Sequence, residues 1–321
     1  MSALTIRKAY CVELGRVVNI AEARREFLNM ATLVPRFTFL CQSKACADHR
    51  VVVIGVSYRV LAKDAPKHVT AHFRKHNEHC AGCDWIGPPK DKAGEVDGAL
   101  QEKPESNRSR SARLKLTDFV TVFDPRPSFQ VQAKSPSLGA QLPESSCQET
   151  SKLKPVSRNV GVPSQTRTSD FSLLVETYRE AREVLSRNEF SALELKVVGI
   201  GRLLLEEYFV RMQNATTLLR NRVIFGGARL LKRYGSSGFK FQFIDQVNGG
   251  VVTLYVAPET VIQHPLRRYW ESLIREVPRR RYVTIYSTGY LGRNDERGTM
   301  ELLIPDLDHV EIILGPEKID A

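Results

Sequence analysis

Four of the six cysteines and five of the seven histidines of this 321-residue chain fall between positions 41 and 83. Cys41, Cys46, Cys80 and Cys83 form two close pairs, with His72, His76 and His79 between them. Thiolate and imidazole are the ligands Zn²⁺ prefers, and a structural site needs four of them in a tetrahedron. Two close ligand pairs separated by a strand-containing loop is the layout of a zinc ribbon, because the loop folds the far pair back onto the near one. Nothing in the sequence suggests secretion, and disulfides are rare in reducing compartments, so a metal is the better use of these thiols. One structural Zn²⁺ is expected on Cys41, Cys46 and Cys83 with a fourth ligand from among His72, His79 and Cys80.

The elements that must position this set can be read around it. Residues 9–20 read as a strand or a hairpin with a turn at Gly15, and Asn19 can cap a helix in which Ala23, Phe27, Met30 and Ala31 share one apolar face. Phe37 and Phe39 alternate into Cys41, and residues 51–58 read as the strand inside the loop. A module this small has a thin core, which a metal staple would offset. Cys11 reads as a packed thiol, His49 and His68 as solvated, and Trp85 as packed over the site.

The run from Phe39 and Cys41 to Cys46, a following strand, then His72-Phe73-Arg74 and His79 to Cys83 resembles the N-terminal zinc-binding segment of competence-protein-type (CoiA-like) bacterial proteins. The second histidine of the family's HF-x-H element is displaced here, since Lys75 occupies its position and His76 follows. The resemblance covers about 50 residues, the scale of one motif. It implies Cys41, Cys46, His79 and Cys83 as the zinc ligands, because His79 and Cys83 match the family's closing pair better than Cys80 does. It also implies a nucleic-acid-handling context; the nuclease core usual to that family is not evident downstream.

Charge supports the same context. The formal net charge is +11, and between positions 211 and 297 the chain holds 15 Lys and Arg against 6 Asp and Glu. Such a surface attracts polyphosphate chains through counterion release. No apolar run is long enough for a transmembrane helix and no apolar leader opens the chain, so a cytoplasmic location without membrane contact is expected.

The organisation expected is α+β in three parts: a small zinc-ribbon-like module over 1–87, a largely disordered linker over 88–168, and helices leading into an OB-like β-barrel over 169–321. The linker is rich in Pro, Ser, Gly and charge. It contains an apolar island, 113–131, that could add a strand or dock on a partner. Cys147 reads as a free linker thiol. Asp170 starts a helix, residues 193–198 read as a strand, and residues 203–212 read as helical. Then come strands over 222–231, 239–243 and 251–256, a helix near 265–277, a strand over 281–286 and a strand over 300–304, with a further one over 310–314. Three strands, a helix and two strands is the order of an OB barrel.

Such barrels bind single strands with a basic groove and aromatic platforms. Arg229, Lys232, Arg233, Tyr234, Lys240 and Tyr255 are the candidates, with Arg279, Arg280 and Arg281 as a second cationic run. The reading favoured is a non-enzymatic protein that binds nucleic acid, single-stranded above all. A metal-dependent nuclease using Glu194 and Lys196 is the alternative, since Glu-x-Lys on a strand can hold Mg²⁺ and orient water. A protein adaptor without nucleic acid is the third. No catalytic triad, P-loop or GxGxxG motif points to another chemistry.

Overall fold

The computed structural model describes residues 6, 8–31, 34–64, 71–83, 106–113, 115–116, 119–125, 167–294 and 299–318. His68, Trp85, Cys147 and most of the expected linker lie outside the described residues.

The N-terminal module is a five-stranded antiparallel sheet, larger than a ribbon. It comprises β1 (Lys8–Cys11), β2 (Arg16–Asn19), β3 (Phe39–Cys41), β4 (Val52–Val56) and β5 (His72–Lys75), in the order β2-β1-β3-β4-β5. Gly15 turns the first hairpin with φ +63. Edge-to-face rings of Phe27, Phe37, Phe39, Tyr58 and Phe73 fill one side of the sheet. Cys11 is buried in this core, as a packed thiol should be.

After β2 comes α1 (Ile20–Asn29), closed by a capping box between Asn19 and Glu22. Its faces divide among three cores. Ile20 and Ala23 pack in the N-terminal module, Ala21 in a second core, and Leu28 against a third.

The second core is built on α4 (Phe171–Val184), whose N-cap is Asp170. Against it lie α3 (Asn107–Arg113), α5 (Arg187–Phe190) and a small sheet ordered β7-β6-β8-β9. These strands are β6 (Val122–Phe123), β7 (Arg167–Thr168), β8 (Glu194–Val197) and β9 (Gly201–Leu204). The apolar island therefore adds a strand within the chain itself. Leu116, Phe119, Val120 and Phe123 are buried in the second core, and Val122 is buried as well, so they are not a free motif for a protein partner. Residues 203–212 are not one helix. Glycines 199 and 201 turn β8 back into β9, one helical turn α6 (Leu205–Tyr208) follows, and β10 (Phe209–Arg211) then pairs parallel with the next strand. Sheet pairing has overridden a periodicity compatible with a helix.

The third core is the inside of an eight-stranded sheet. Its strands are β10, β11 (Val223–Tyr234), β12 (Gly238–Phe243), β13 (Val252–Val256), β14 (Val283–Ser287), β15 (Tyr290–Asn294), β16 (Thr299–Leu303) and β17 (Val310–Leu314). The path is β15-β16-β13-β12-β11-β14-β17, with β10 beside β11. Among the described residues no ladder joins the two ends of the path; β14 runs on into β15 across Thr288 and Gly289. Gly289 is required there, because a Cβ would lie 2.2 Å from the carbonyl oxygen of Leu303. Between β13 and β14 lie α7 (Pro258–Gln263) and α8 (Arg267–Glu276), with Tyr269, Trp270, Leu273 and Ile274 turned into the core.

Polar groups join the three parts. Arg24 on α1 is buried and meets Glu176 of α4 at 2.5 Å. Arg25 meets Asp170 at 2.9 Å, and the Asn19 side chain donates to the same carboxylate at 2.9 Å, so the caps of α1 and α4 are bonded to each other. Glu311 on β17 accepts from Ser172 Oγ at 2.5 Å. Full burial raises its carboxyl to about 7 despite Arg24 and Arg25 nearby. Residues 61–64 lie along β17, with Leu314 N donating to Ala62 O and Asp64 N to Leu314 O.

Removing Arg24 would leave Glu176 as an unpaired buried charge. Arg24→Ala should cost about 3–5 kcal/mol in denaturant unfolding, and Arg24→Met with Glu176→Leu should recover most of it. The folded state holds a proton on Glu311 that the unfolded chain releases near 4.5. Stability should therefore fall as pH rises from about 4.5 to about 7, and Glu311→Gln should flatten that slope.

Candidate functional site

The four expected ligands meet. Cys41, Cys46, His79 and Cys83 are buried, and their Sγ and Nδ1 atoms all lie within 4.8 Å of one another. Cys41 stands at the end of β3, where its N–H donates to Val51 O, and Cys46 stands on the single turn α2 (Lys44–Ala47) that follows. The β3-β4-β5 meander returns the chain to the same end of the sheet. There Gly82, at φ +80, closes the turn in which Cys83 N donates to Cys80 O. His79 and Cys83 thus face the first pair.

The distances suit a single ion. Cys41 and Cys83 sulfurs are 3.7 Å apart, and a tetrahedron with metal–sulfur bonds of about 2.3 Å has sulfur–sulfur edges of about 3.8 Å. His79 Nδ1 lies 3.7 Å from Cys46 Sγ and 3.2 Å from Cys83 Sγ. Burial pushes the Cys41 thiol up to about 12, with the Cys83 and Cys46 thiols beside it adding to the effect. Burial likewise raises Cys46, and it lowers His79, to which the charge of Lys75 contributes. Without an ion the thiols keep their protons, and a bound cation must displace them. Cys80 is half-buried and His72 sits on β5; neither belongs to the set of four.

The nucleic-acid-binding candidates separate into groups. Three cations, Arg229, Lys232 and Lys240, and two tyrosines, Tyr234 and Tyr255, share the outer face of β11, β12 and β13. Phe239, Phe241 and Phe243 turn inward, so Lys240 and Gln242 turn outward. Lys232 is in register with Lys240, and Lys240 with Tyr255. Arg229 is in register with Gln242, and Tyr234 with Gly238. A bulge between Leu230 and Lys232 keeps Arg229 and Lys232 on one face, although they are three positions apart. Lys232 Nζ lies 5.2 Å from the ring centre of Tyr234, which packs edge-on against Tyr255. Arg233 is in register with inward-facing Phe239, so it belongs to the opposite side, at the exposed strand end.

The run 279–281 is not a cationic patch of three. Arg280 is buried and held by Glu317 at 2.7 Å and Glu276 at 3.6 Å, and Arg279 pairs with Glu276. Arg281 alone of the three is exposed and without an acidic partner among the described residues. Alternation explains this: Arg280 points inward just before β14.

Glu194 and Lys196 are half-buried on one side of β8, and Leu195 and Val197 are buried on the other. The Glu194 carboxylate accepts from Ser106 N at 3.2 Å and lies 3.4 Å from Arg202. It belongs to no group of three or more metal-ligating side chains among the described residues. His264 and His309 have structural partners: His264 Nε2 lies 3.3 Å from Asp308, and His309 Nδ1 lies 2.8 Å from Thr288 Oγ1.

A recess that sequence reasoning did not find lies between α4, α5 and β10, with Arg182, Arg187 and Arg211 on its lining. Arg182 and Arg187 stand five positions apart on two different helices and Arg211 follows on a strand, a spacing that matches no binding motif.

No helix among the described residues is long and apolar enough to cross a membrane. No protein-family model, curated protein or solved structure matches the chain.

The purified protein should hold one divalent ion per chain by elemental analysis. Cys46→Ser and Cys83→Ser should lose it, while Cys80→Ser and His72→Ala should keep it. Ion retention should weaken as pH falls, because protons compete for the raised thiols.

Proposed function

We propose that this chain is a zinc-containing protein that binds a single nucleic-acid strand across the outer face of β11, β12 and β13, without a catalytic step. The observation that carries the reading is the cross-strand row Lys232, Lys240 and Tyr255, with Arg229 and Tyr234 beside it. Cations on two adjacent strands can follow a phosphate backbone, and an exposed tyrosine ring on the third offers any base a surface to stack on. Arg229, Lys232 and Lys240 have no acidic partner among the described residues, so their charge is available to phosphates.

The pairing order supports an OB-like reading of the eight-stranded sheet. β11, β12 and β13 serve as the first three strands, β14 bent into β15 as the fourth, and β16 as the fifth. β16 lies parallel to β13 and antiparallel to β15, and the helices fall between the third and fourth strands. In barrels of this kind the second and third strands carry the binding face. We read the metal centre as zinc because three thiolates and one imidazole at tetrahedral spacing suit that ion. With all four positions filled by side chains, the ion is structural and has no open position for substrate. The likeness of this segment to CoiA-like proteins points to the same ligands. It also adds nucleic-acid handling as context.

Fluorescence anisotropy with labelled single- and double-stranded oligonucleotides over a salt series tests the reading. Single strands should bind more tightly, with a steep salt dependence and no cleavage in Mg²⁺. Tyr255→Ala should weaken binding roughly tenfold, within the range for loss of one stacked base. Lys232→Ala and Lys240→Ala should each lower the salt slope by about one phosphate contact. Absence of binding at low salt would remove the proposal, and cleavage abolished by Glu194→Ala would replace it with a nuclease.

A further inference from the structure

We propose that the recess between α4, α5 and β10 is a phosphate subsite that takes the terminal phosphomonoester of a strand lying on β11–β13; this rests on the strand-binding reading above. The recess measures about 580 Å³, within the range of small-molecule sites. Arg182 comes from the last turn of α4, Arg187 from the start of α5, and Arg211 from the end of β10. None of the three has an ion-pair partner among the described residues. The one carboxylate on the lining, Glu206, already accepts a hydrogen bond from Ser191 Oγ at 2.9 Å. Three guanidinium groups against one carboxylate leave the recess net positive, and an anion relieves the remaining repulsion among them. Their planar forks match phosphate oxygens in pairs.

The floor beneath the arginines is aromatic. Tyr178 stacks on Phe209 at 3.9 Å and packs edge-on against Phe225 and Phe190. Arg182 lies 5.6 Å from the centre of the Tyr178 ring. Phe190 is half-buried and offers an apolar wall to the sugar or base attached to the phosphate.

Placement and charge select a strand end. Alternate residues of β11 share a face, so Phe225 on the recess lining points the same way as Gly227 and Arg229. Four residues of strand put Phe225 and Arg229 about 13 Å apart. A chain crossing the Arg229–Lys232–Tyr255 face can therefore reach the recess. Buried Tyr178, Phe209 and Phe225 close the bottom, so a terminal phosphate can seat against the three guanidinium groups. A phosphomonoester carries up to about two negative charges near neutral pH, against one for an internal diester, and three cations discriminate in its favour.

Calorimetric titration of AMP and of adenosine into the full chain, beside anisotropy with 5′-phosphorylated, 3′-phosphorylated and unphosphorylated oligonucleotides, tests this. Both would be run on the wild type and on the double variant Arg187→Gln, Arg211→Gln, whose altered side chains are exposed at element ends. AMP should bind at least about tenfold more tightly than adenosine, and one phosphorylated end should bind more tightly than the bare strand. The double variant should lose both preferences while keeping wild-type affinity for the bare strand. Equal affinities for AMP and adenosine, no binding of either, or a double variant that binds AMP like the wild type would overturn the subsite. AMP binding without strand binding would keep the subsite and remove the strand-binding reading. Strand binding without AMP binding or end preference would remove the subsite alone.

Discussion

The structure depends on burying two adjacent arginines of one short helix. Arg24 and Arg25 of α1 leave water only because Glu176 and Asp170 meet them, and both acids belong to α4 or its cap. Isolated buried charges cost several kcal/mol each, so α1 cannot sit here without α4 in register. Because α1 touches all three cores, this requirement fixes the metal-bearing module against the sheet that carries the cation face. Asn19 adds direction, since its side chain both caps α1 and bonds the carboxylate that caps α4.

β11 divides the molecule in a second way. In its first half both faces are buried: Ile224 and Ala228 pack inside the sheet, and Val223 and Phe225 pack under α4. In its second half no described residue covers the outer face, and there the sequence changes from apolar residues to Arg229, Lys232 and Tyr234. The bulge past Leu230 is what aligns these side chains, since an unbroken strand would have sent Lys232 inward. One strand thereby carries a buried half that anchors it and an exposed half that displays cations. The three-arginine recess lies where the two halves meet α4.

Local chemistry was legible in the sequence, while pairing among distant segments was not. The turn at Gly15, the caps Asn19 and Asp170, the alternating phenylalanines of β12 and the ligand pairs at Cys41, Cys46, His79 and Cys83 all announce themselves by residue type and spacing. Residues 203–212 misled because one apolar spacing fits both a helix and the strand–turn–strand that β11 captures. The island at 113–131 looked available because its partners, α4 and β8, lie about 50 residues or more downstream. Arg280 looked like part of a surface run, although strand alternation turns it inward to Glu317. The helix α7 and the strand β15 went unread because each is short and lacks a strong period.

The account's central claim is that a strand lies across β11–β13, touching Tyr234 and Tyr255. Photo-cross-linking with a single-stranded oligonucleotide carrying 5-iodouracil, followed by mass spectrometry of the adduct peptides, tests it most directly. The account predicts adducts at Tyr234 and Tyr255, lost when unlabelled strand competes. Adducts confined to the metal-bearing module, or spread without competition over the basic surface, would contradict it.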